Sequence, residues 1–334
     1  MLLTDFLIKP KGNLRFCTYN MLDGGLDGWK GNRTSTRGLS AGRWGRQMEL
    51  LNLLDLDMLL LQEAKFFDSD EMAMARATGE ALGMDWRLAP SGSHGCHLMT
   101  LVRHGRAAFR DFVPDAAEGK FHHTLSRADI VTESGWGVRV FNAHLAPFSP
   151  EARSIEAGWI TEFGCADDVI LAGDLNGMWP GDPEPASWDW LPPHLHSRHR
   201  RLDPGGAYGP SNRDAQAKLQ LAGFRDPVSS LGYPWAATVG HWSETERYPM
   251  RSDYILPAAG TAALLTGWAV IRTPVSCELS DHLPVVADFC PSAHRRAAEI
   301  SVPDGPVDRI AARLRPIQRT SRECSCLPPP AQTA

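Results

Sequence analysis

The segment Val169–Trp179 reads VILAGDLNGMW, an apolar run that stops on Asp174, Asn176 and Gly177. Residues at i and i+2 of a strand project to one face. A carboxylate and an amide would then share a small volume at a strand end, where α/β proteins often place their chemistry. Both residue types also favour an Asx-type turn, and the segment alone leaves the two readings open. Four further apolar runs end on or begin from such groups. FCTYNM ends near Asn20, LLLQEAK carries Glu63 with Lys65 on the same face, VFNAHLAP carries His144, and MRSDYIL carries Asp253. CELSDHLPVV then sets Asp281 and His282 just before a last apolar run. Each case has an ordinary explanation as a solvated acid, a packed histidine or a turn. Their recurrence against successive apolar runs points to one polar site.

The elements that must position these groups follow from the spacing of apolar residues. LRFCTYNM reads as a strand, followed by a Gly/Asp/Ser/Arg loop over 23–42. RWGRQMELLNLL reads as a helix, with Trp44, Met48 and Leu51 at i, i+4 and i+7. DMLLLQEA is a buried strand, and DEMAMARATGEALG is a helix capped at Ser69 or Asp70 and ending near Gly83. HLMTLVR, TLSRADIVT and GVRVFNAHLAPF supply strands, the last with Val138, Val140, Asn142 and His144 on one face. A helix then starts from Ser149 as N-cap with Pro150 at its first position and Glu151 in its first turn. It returns the chain to DVILAGDLN, a strand–helix–strand unit that predicts a right-handed crossover between parallel neighbours. Residues 178–212, rich in Pro, Trp, His and Arg, read as an insertion or long loop. RSDYILP and LPVVADF close the core near Phe289.

The ordered set resembles the endonuclease/exonuclease/phosphatase superfamily, also called deoxyribonuclease I-like. The resemblance rests on Tyr19-Asn20, Gln62-Glu63, Asn142-Ala143-His144, Gly173-Asp174-Leu175-Asn176, Ser252-Asp253-Tyr254 and Ser280-Asp281-His282, and spans Leu14 to Phe289. It implies an α/β fold, a four-layer αββα sandwich of two mixed β-sheets flanked by helices. Residues 14–290 would form the catalytic domain, 1–13 a lead-in, and 291–334 an Arg/Pro-rich, partly disordered tail. The implied reaction is Mg²⁺-dependent phosphoester hydrolysis, with Mn²⁺ as a substitute. Such hydrolysis needs charge neutralisation, an activated water and a stabilised leaving oxygen. Mg²⁺ takes oxygen ligands and keeps several waters, so few carboxylates suffice. Glu63, Asp281 and Asn20 are the implied metal ligands. Asp174 would orient or deprotonate the water, and Asn176 would donate to the phosphate or that water. His282, held by Asp253, would donate to a phosphate oxygen as an imidazolium. Lys65 would meet a phosphate.

In nuclease relatives of the deoxyribonuclease I type a histidine at the His144 place pairs with a carboxylate and acts as general acid. Abasic-site endonucleases have a tyrosine there. Here the place of the partner carboxylate falls near Cys96, where no acid stands, so His144 is expected to meet phosphate without a dyad partner. His94 and His97 are expected to be surface or packing residues.

Composition narrows the function class. With 43% hydrophobic and 22% charged residues over 334 positions, the chain matches a soluble globular protein. No apolar run approaches the ~18–20 residues of a membrane span. The start, MLLTDFLIKPKGN, makes a poor secretion signal, and the seven cysteines at irregular spacings form no disulfide framework, so a cytoplasmic location is expected. The net charge is −5, with seven Arg against two Glu and two Asp in residues 291–334, so the rest of the chain carries −8. That balance favours small-molecule or lipid phosphoesters over duplex coating, whereas the tail and His196–Arg201 favour nucleic acid. Nuclease is the default expectation, with a phosphatase or phosphodiesterase as alternative. A catalytically dead binding module would have lost at least one of Glu63, Asp174, Asn176, Asp253 or His282, and all are present. Trp179, Trp188 and Trp190 either stack on a substrate or pack the insertion locally.

Overall fold

A computed structural model describes residues 8–27, 42–242 and 248–291. The expected tail and most of the lead-in lie outside the described residues. Thirteen strands are described in chain order. They are β1 (Leu14–Asn20), β2 (Met58–Gln62), β3 (Met84–Ala89), β4 (Leu98–Arg103), β5 (Ala107–Val113), β6 (Leu125–Thr132), β7 (Gly137–His144), β8 (Val169–Asp174), β9 (Arg200–Leu202), β10 (Tyr208–Ser211), β11 (Asp253–Pro257), β12 (Leu265–Val270) and β13 (Val285–Phe289). One sheet has the order β12-β13-β1-β2-β4-β3, a second has β11-β8-β7-β6-β5, and β9 pairs with β10 apart from both. Each large sheet contains one parallel pair, β1 with β2 and β7 with β8.

Side-chain alternation along these strands builds the layers. Phe16, Leu60, Val140, Ile170, Ile255 and Val285 pack between the sheets. Their neighbours in sequence face outward. Tyr19, Leu59 and Leu61 meet helices α1 (Arg43–Asn52) and α2 (Ala73–Leu82) through Trp44, Met48 and Met74. Phe141, Leu171 and Leu256 meet α3 (Pro150–Ile160) and, beyond the short α4 (His196–His199), α5 (Asp214–Ala222) through Ala157, Ile160 and Leu219. The result is a helix–sheet–sheet–helix sandwich, as expected. Fully burying each of these large apolar side chains contributes ~1.5–3 kcal/mol.

Local expectations held or shifted for definable reasons. Ser149 caps α3, accepting from Ala152 N at 3.2 Å, with Pro150 at the first position. Ser69 makes no capping bond, because a single 3₁₀ turn, Asp70–Met72, precedes α2. Strand β8 ends at Asp174, so Asn176 lies beyond it with φ +49° and does not share the strand face. Its backbone N donates to Asp174 Oδ1 at 2.9 Å, an Asx turn. Gly173 is required here, since a Cβ at φ +144° would sit 1.8 Å from Ala143 O on the adjacent strand. Among the described residues no helix is long and apolar enough to cross a membrane.

Candidate active site

The inter-sheet face of each central strand changes character along its length. β1 runs Phe16, Thr18, Asn20; β2 runs Met58, Leu60, Gln62; β7 runs Val138, Val140, Asn142, His144; and β8 runs Ile170, Ala172, Asp174. Parallel pairing brings Asn20 level with Gln62, and His144 level with Asp174, while antiparallel β11 brings Asp253 opposite Asp174. All the polar ends therefore emerge on one edge of the sandwich. The sheets are tied there by Gln62 Nε2 donating to Asn142 Oδ1 at 2.8 Å and Asn20 Nδ2 donating to Asp174 Oδ2 at 3.1 Å.

Asp174 is the hub. Its Oδ1 accepts from Ser252 Oγ at 2.6 Å, and its Oδ2 lies 3.4 Å from His144 Nε2 and 3.6 Å from His282 Nε2. Burial pushes its carboxyl up, but the His282 and His144 ring charges and the Ser252 hydroxyl more than offset this and hold it below the ordinary carboxylate range. His282 Nδ1 lies 2.8 Å from Asp253 Oδ2, so the expected histidine–carboxylate pair is formed. Burial opposes the charged ring, yet Asp253, Asp174 and Asp281 together hold His282 well above its ordinary value. Burial leaves Asp253 above the usual range even with His282 against it.

Glu63, just past β2 at φ +53°, turns its carboxylate back to accept from Asp23 N at 3.2 Å and Asn20 Nδ2 at 3.4 Å. Asn20 thus spaces two carboxylates, while its Oδ1 accepts from Leu22 N at 3.1 Å. Ser280 Oγ bonds Asn20 O at 2.8 Å and fixes the loop that delivers Asp281 and His282. Lys65 pairs with Asp23 and lines the same cleft as Glu63. Asn176 Nδ2 donates to Leu145 O at 2.9 Å and also faces the cleft.

The donor set suits a hard divalent cation. Asp281 is pushed up by burial, relieved in part by His282 and pushed further by the negative charge of Glu63. A cation between two such carboxylates would remove their mutual repulsion. Asp174, Asp253 and His282 also place ligand atoms within 4.8 Å of one another. That trio makes a poorer cage, because His282 Nδ1 is committed to Asp253 and an imidazolium has no lone pair to give. Glu63 and Asp281 are the better fit.

Apart from Asp174 at its Nε2, His144 has no carboxylate partner among the described residues. Its Nδ1 is buried and unbonded among the described residues, and His123 stacks on its ring at 4.2 Å. Burial and the neighbouring rings push His123 down to about 2, so it is neutral. Sequence reading did not pick out His123. His97 is a packing residue, as expected, with Nε2 3.0 Å from Asp68, whereas exposed His94 and buried Cys96 reach the cleft. The role of Ser252 in holding Asp174 is one the sequence motif gives no hint of beyond its place beside Asp253. Trp179 is fully buried against Tyr254 and does not line the cleft. Trp188 packs within the insertion's own small core, and Trp190 lines the cleft.

The two facing sheets with helices outside them have the fold seen in solved endonuclease/exonuclease/phosphatase structures. Solved structures of that fold superpose over most of the chain. An AP endonuclease from Archaeoglobus fulgidus matches with TM-score 0.55 and 20% identity, over 83% of this chain and 99% of its own. D. rerio TDP2, in complex with a single-strand DNA product, matches with TM-score 0.53 and 18% identity, over 83% and 98%. ANGEL2, a 2′,3′-cyclic phosphatase, matches with TM-score 0.50 and 16% identity, over 83% and 95%. No protein-family model and no curated protein matches the chain.

Proposed function

We propose that the protein is a divalent-metal-dependent phosphoesterase, using Mg²⁺ with Mn²⁺ as a substitute. The observation that carries this reading is the convergence of Glu63, Asp174, Asp253, Asp281 and His282 on one strand-end cleft. Structures of the same fold include AP endonucleases and a 2′,3′-cyclic phosphatase, which supports phosphoester chemistry. Glu63 and Asp281, with Asn20 beside them, would hold the cation, which would neutralise the phosphoryl oxygens and the charge developing on the leaving oxygen. Asp174, fixed by Ser252, Asn20 and the Asn176 backbone, orients the attacking water and takes its proton. The water oxygen forms the new P–O bond, and the old P–O bond breaks with its electron pair going to the leaving oxygen. His282 stays charged against Asp253 and donates to a phosphoryl oxygen. Asn176 and Lys65 line the same cleft as further phosphate contacts, and His144 is the ring available to protonate the leaving oxygen.

The test is hydrolysis of supercoiled plasmid, a single-stranded oligonucleotide and bis(4-nitrophenyl) phosphate in Mg²⁺ and in EDTA. Wild-type protein should cleave at least one with metal only, and Asp174→Asn and His282→Ala should not. Cleavage that persists in EDTA or in both variants would sink the reading.

A further inference from the structure

The 178–212 insertion is a built wall of the cleft. Met178, Trp188, Leu191, Leu195, Tyr248 and Met250 form a separate small core beneath it. Arg213 Nη1 donates to Trp179 O at 2.7 Å and Asp182 O at 2.8 Å, and Arg153 donates to Arg198 O, so both ends of the insertion are tied to the sandwich. Trp190 Nε1 donates to Ser187 O at 2.7 Å, which satisfies the indole N–H and leaves its ring to line the cleft beside Tyr248, 5.3 Å away centroid to centroid. Phe148, from the β7–α3 loop, also lines the cleft, with the Arg198 guanidinium 4.8 Å above its ring. Arg198 therefore joins the insertion to the β7–α3 loop across the rim. It has no carboxylate partner among the described residues, whereas Lys65 is paired with Asp23. The cleft, open to solvent on one side, has a volume of about 310 Å³. That is at the small end of sites that hold small molecules, roughly 300–1,000 Å³.

From this wall we infer that the substrate is a free, nucleotide-sized phosphoester carrying a flat ring, and that continuous duplex is excluded. The inference rests on the phosphoesterase reading above and narrows it. The flat ring lies on Trp190, which buried Tyr248 backs, Arg198 meets an anionic oxygen at the rim, and the ester phosphorus sits over Asp174 and His282. A duplex reader needs a run of cations along a phosphate backbone. Among the described residues this cleft offers one arginine without a carboxylate partner, Arg198, above an acidic floor.

Two probes with one leaving group isolate the nucleoside, and Trp190→Ala then isolates its ring. Thymidine 5′-(4-nitrophenyl phosphate) and methyl 4-nitrophenyl phosphate differ in the nucleoside alone. Aromatic stacking of a base corresponds to roughly tenfold or more in affinity, so wild-type kcat/KM should favour the thymidine ester about tenfold or more. In Trp190→Ala that ratio should fall towards one, and plasmid should stay uncut by the wild type. Calorimetry in EDTA gives a readout independent of turnover, with thymidine 5′-monophosphate binding at least about tenfold tighter than ribose 5-phosphate. Equal rates on both esters with rapid plasmid nicking would overturn the inference and leave the phosphoesterase reading intact. No hydrolysis of any ester, with the calorimetric preference present, would overturn the phosphoesterase reading and leave the flat-ring site standing. Absence of that calorimetric preference would overturn the site itself.

Discussion

The two ends of the central strands handle buried charge in opposite ways. At its start, β1 carries Arg15, whose guanidinium grips Asp288 of β13 through two bonds of 2.7 and 2.8 Å. Near the start of β7, Arg139 grips Asp129 of β6 at 2.6 and 2.9 Å. Asp57, just before β2, is met by Lys9 at 2.6 Å and Arg106 at 2.9 Å. Each of these three buried acids faces at least one cation. At the other end, Asn20, Glu63, His144 and Asp174 replace these pairs, joined by Asp253 and Asp281, and His282 answers several acids at once. The same strands thus carry a neutralised end and an end left acidic. A fold gains little stability from buried carboxylates that outnumber their cations, which supports the proposal that a ligand completes this end.

Substitutions at the two ends should separate activity from stability. Asp174→Asn should lower kcat on a small phosphodiester by about 10³-fold or more while the melting temperature moves little, since water orientation and proton acceptance are both lost. Asp288→Asn should do the reverse, leaving Arg15 poorly matched and destabilising the fold by about 3 kcal/mol, with activity per folded molecule retained. Thermal melts and initial rates on the two purified variants check both. If both variants lost activity in proportion to stability, the contrast between the ends would be broken.

Much of the acidic end was legible because each strand there passes from apolar to polar on one face. Asn20, His144, Asp174 and Asp253 announce themselves against Phe16, Val140, Ile170 and Ile255. Less legible were strands β3, β5 and β12, all at sheet edges, whose partly exposed residues blur the apolar pattern. Helix α5 has only Ala215, Gln216 and Leu219 buried, too few for a clear helical stripe. The insertion's order comes from arginine side chains bonding distant carbonyls, as Arg153 does with Arg198 O, and periodicity carries no trace of such ties. Trp179 follows β8 closely and so resembles a ligand platform, yet beyond the turn at Asn176 it packs into the core.

Smaller effects sharpen the comparison. Ser252→Ala removes one donor from Asp174 and should lower kcat about 10- to 100-fold, with Ser252→Thr restoring part of it, because a hydrogen bond to a charged group contributes ~1.5–3 kcal/mol. Unchanged kinetics in Ser252→Ala would remove its positioning role. Smaller again is a pH effect in chelator. His282 is held well above 6.5, so its contribution to stability is complete below that value and is lost as pH rises through the raised value. Melting temperatures of wild-type protein in EDTA should therefore fall as pH climbs above 6.5, and His282→Gln should lack that slope. An identical slope in the variant would locate the titration elsewhere.

The central claim, that the acidic end is completed by a divalent cation, is tested most directly by calorimetric titration of Mg²⁺ into wild-type, Asp288→Asn and Glu63→Gln proteins. The account predicts equal Mg²⁺ binding by the wild type and Asp288→Asn and its loss in Glu63→Gln. Binding that survives in Glu63→Gln, or that disappears in Asp288→Asn while the fold is intact, would contradict it.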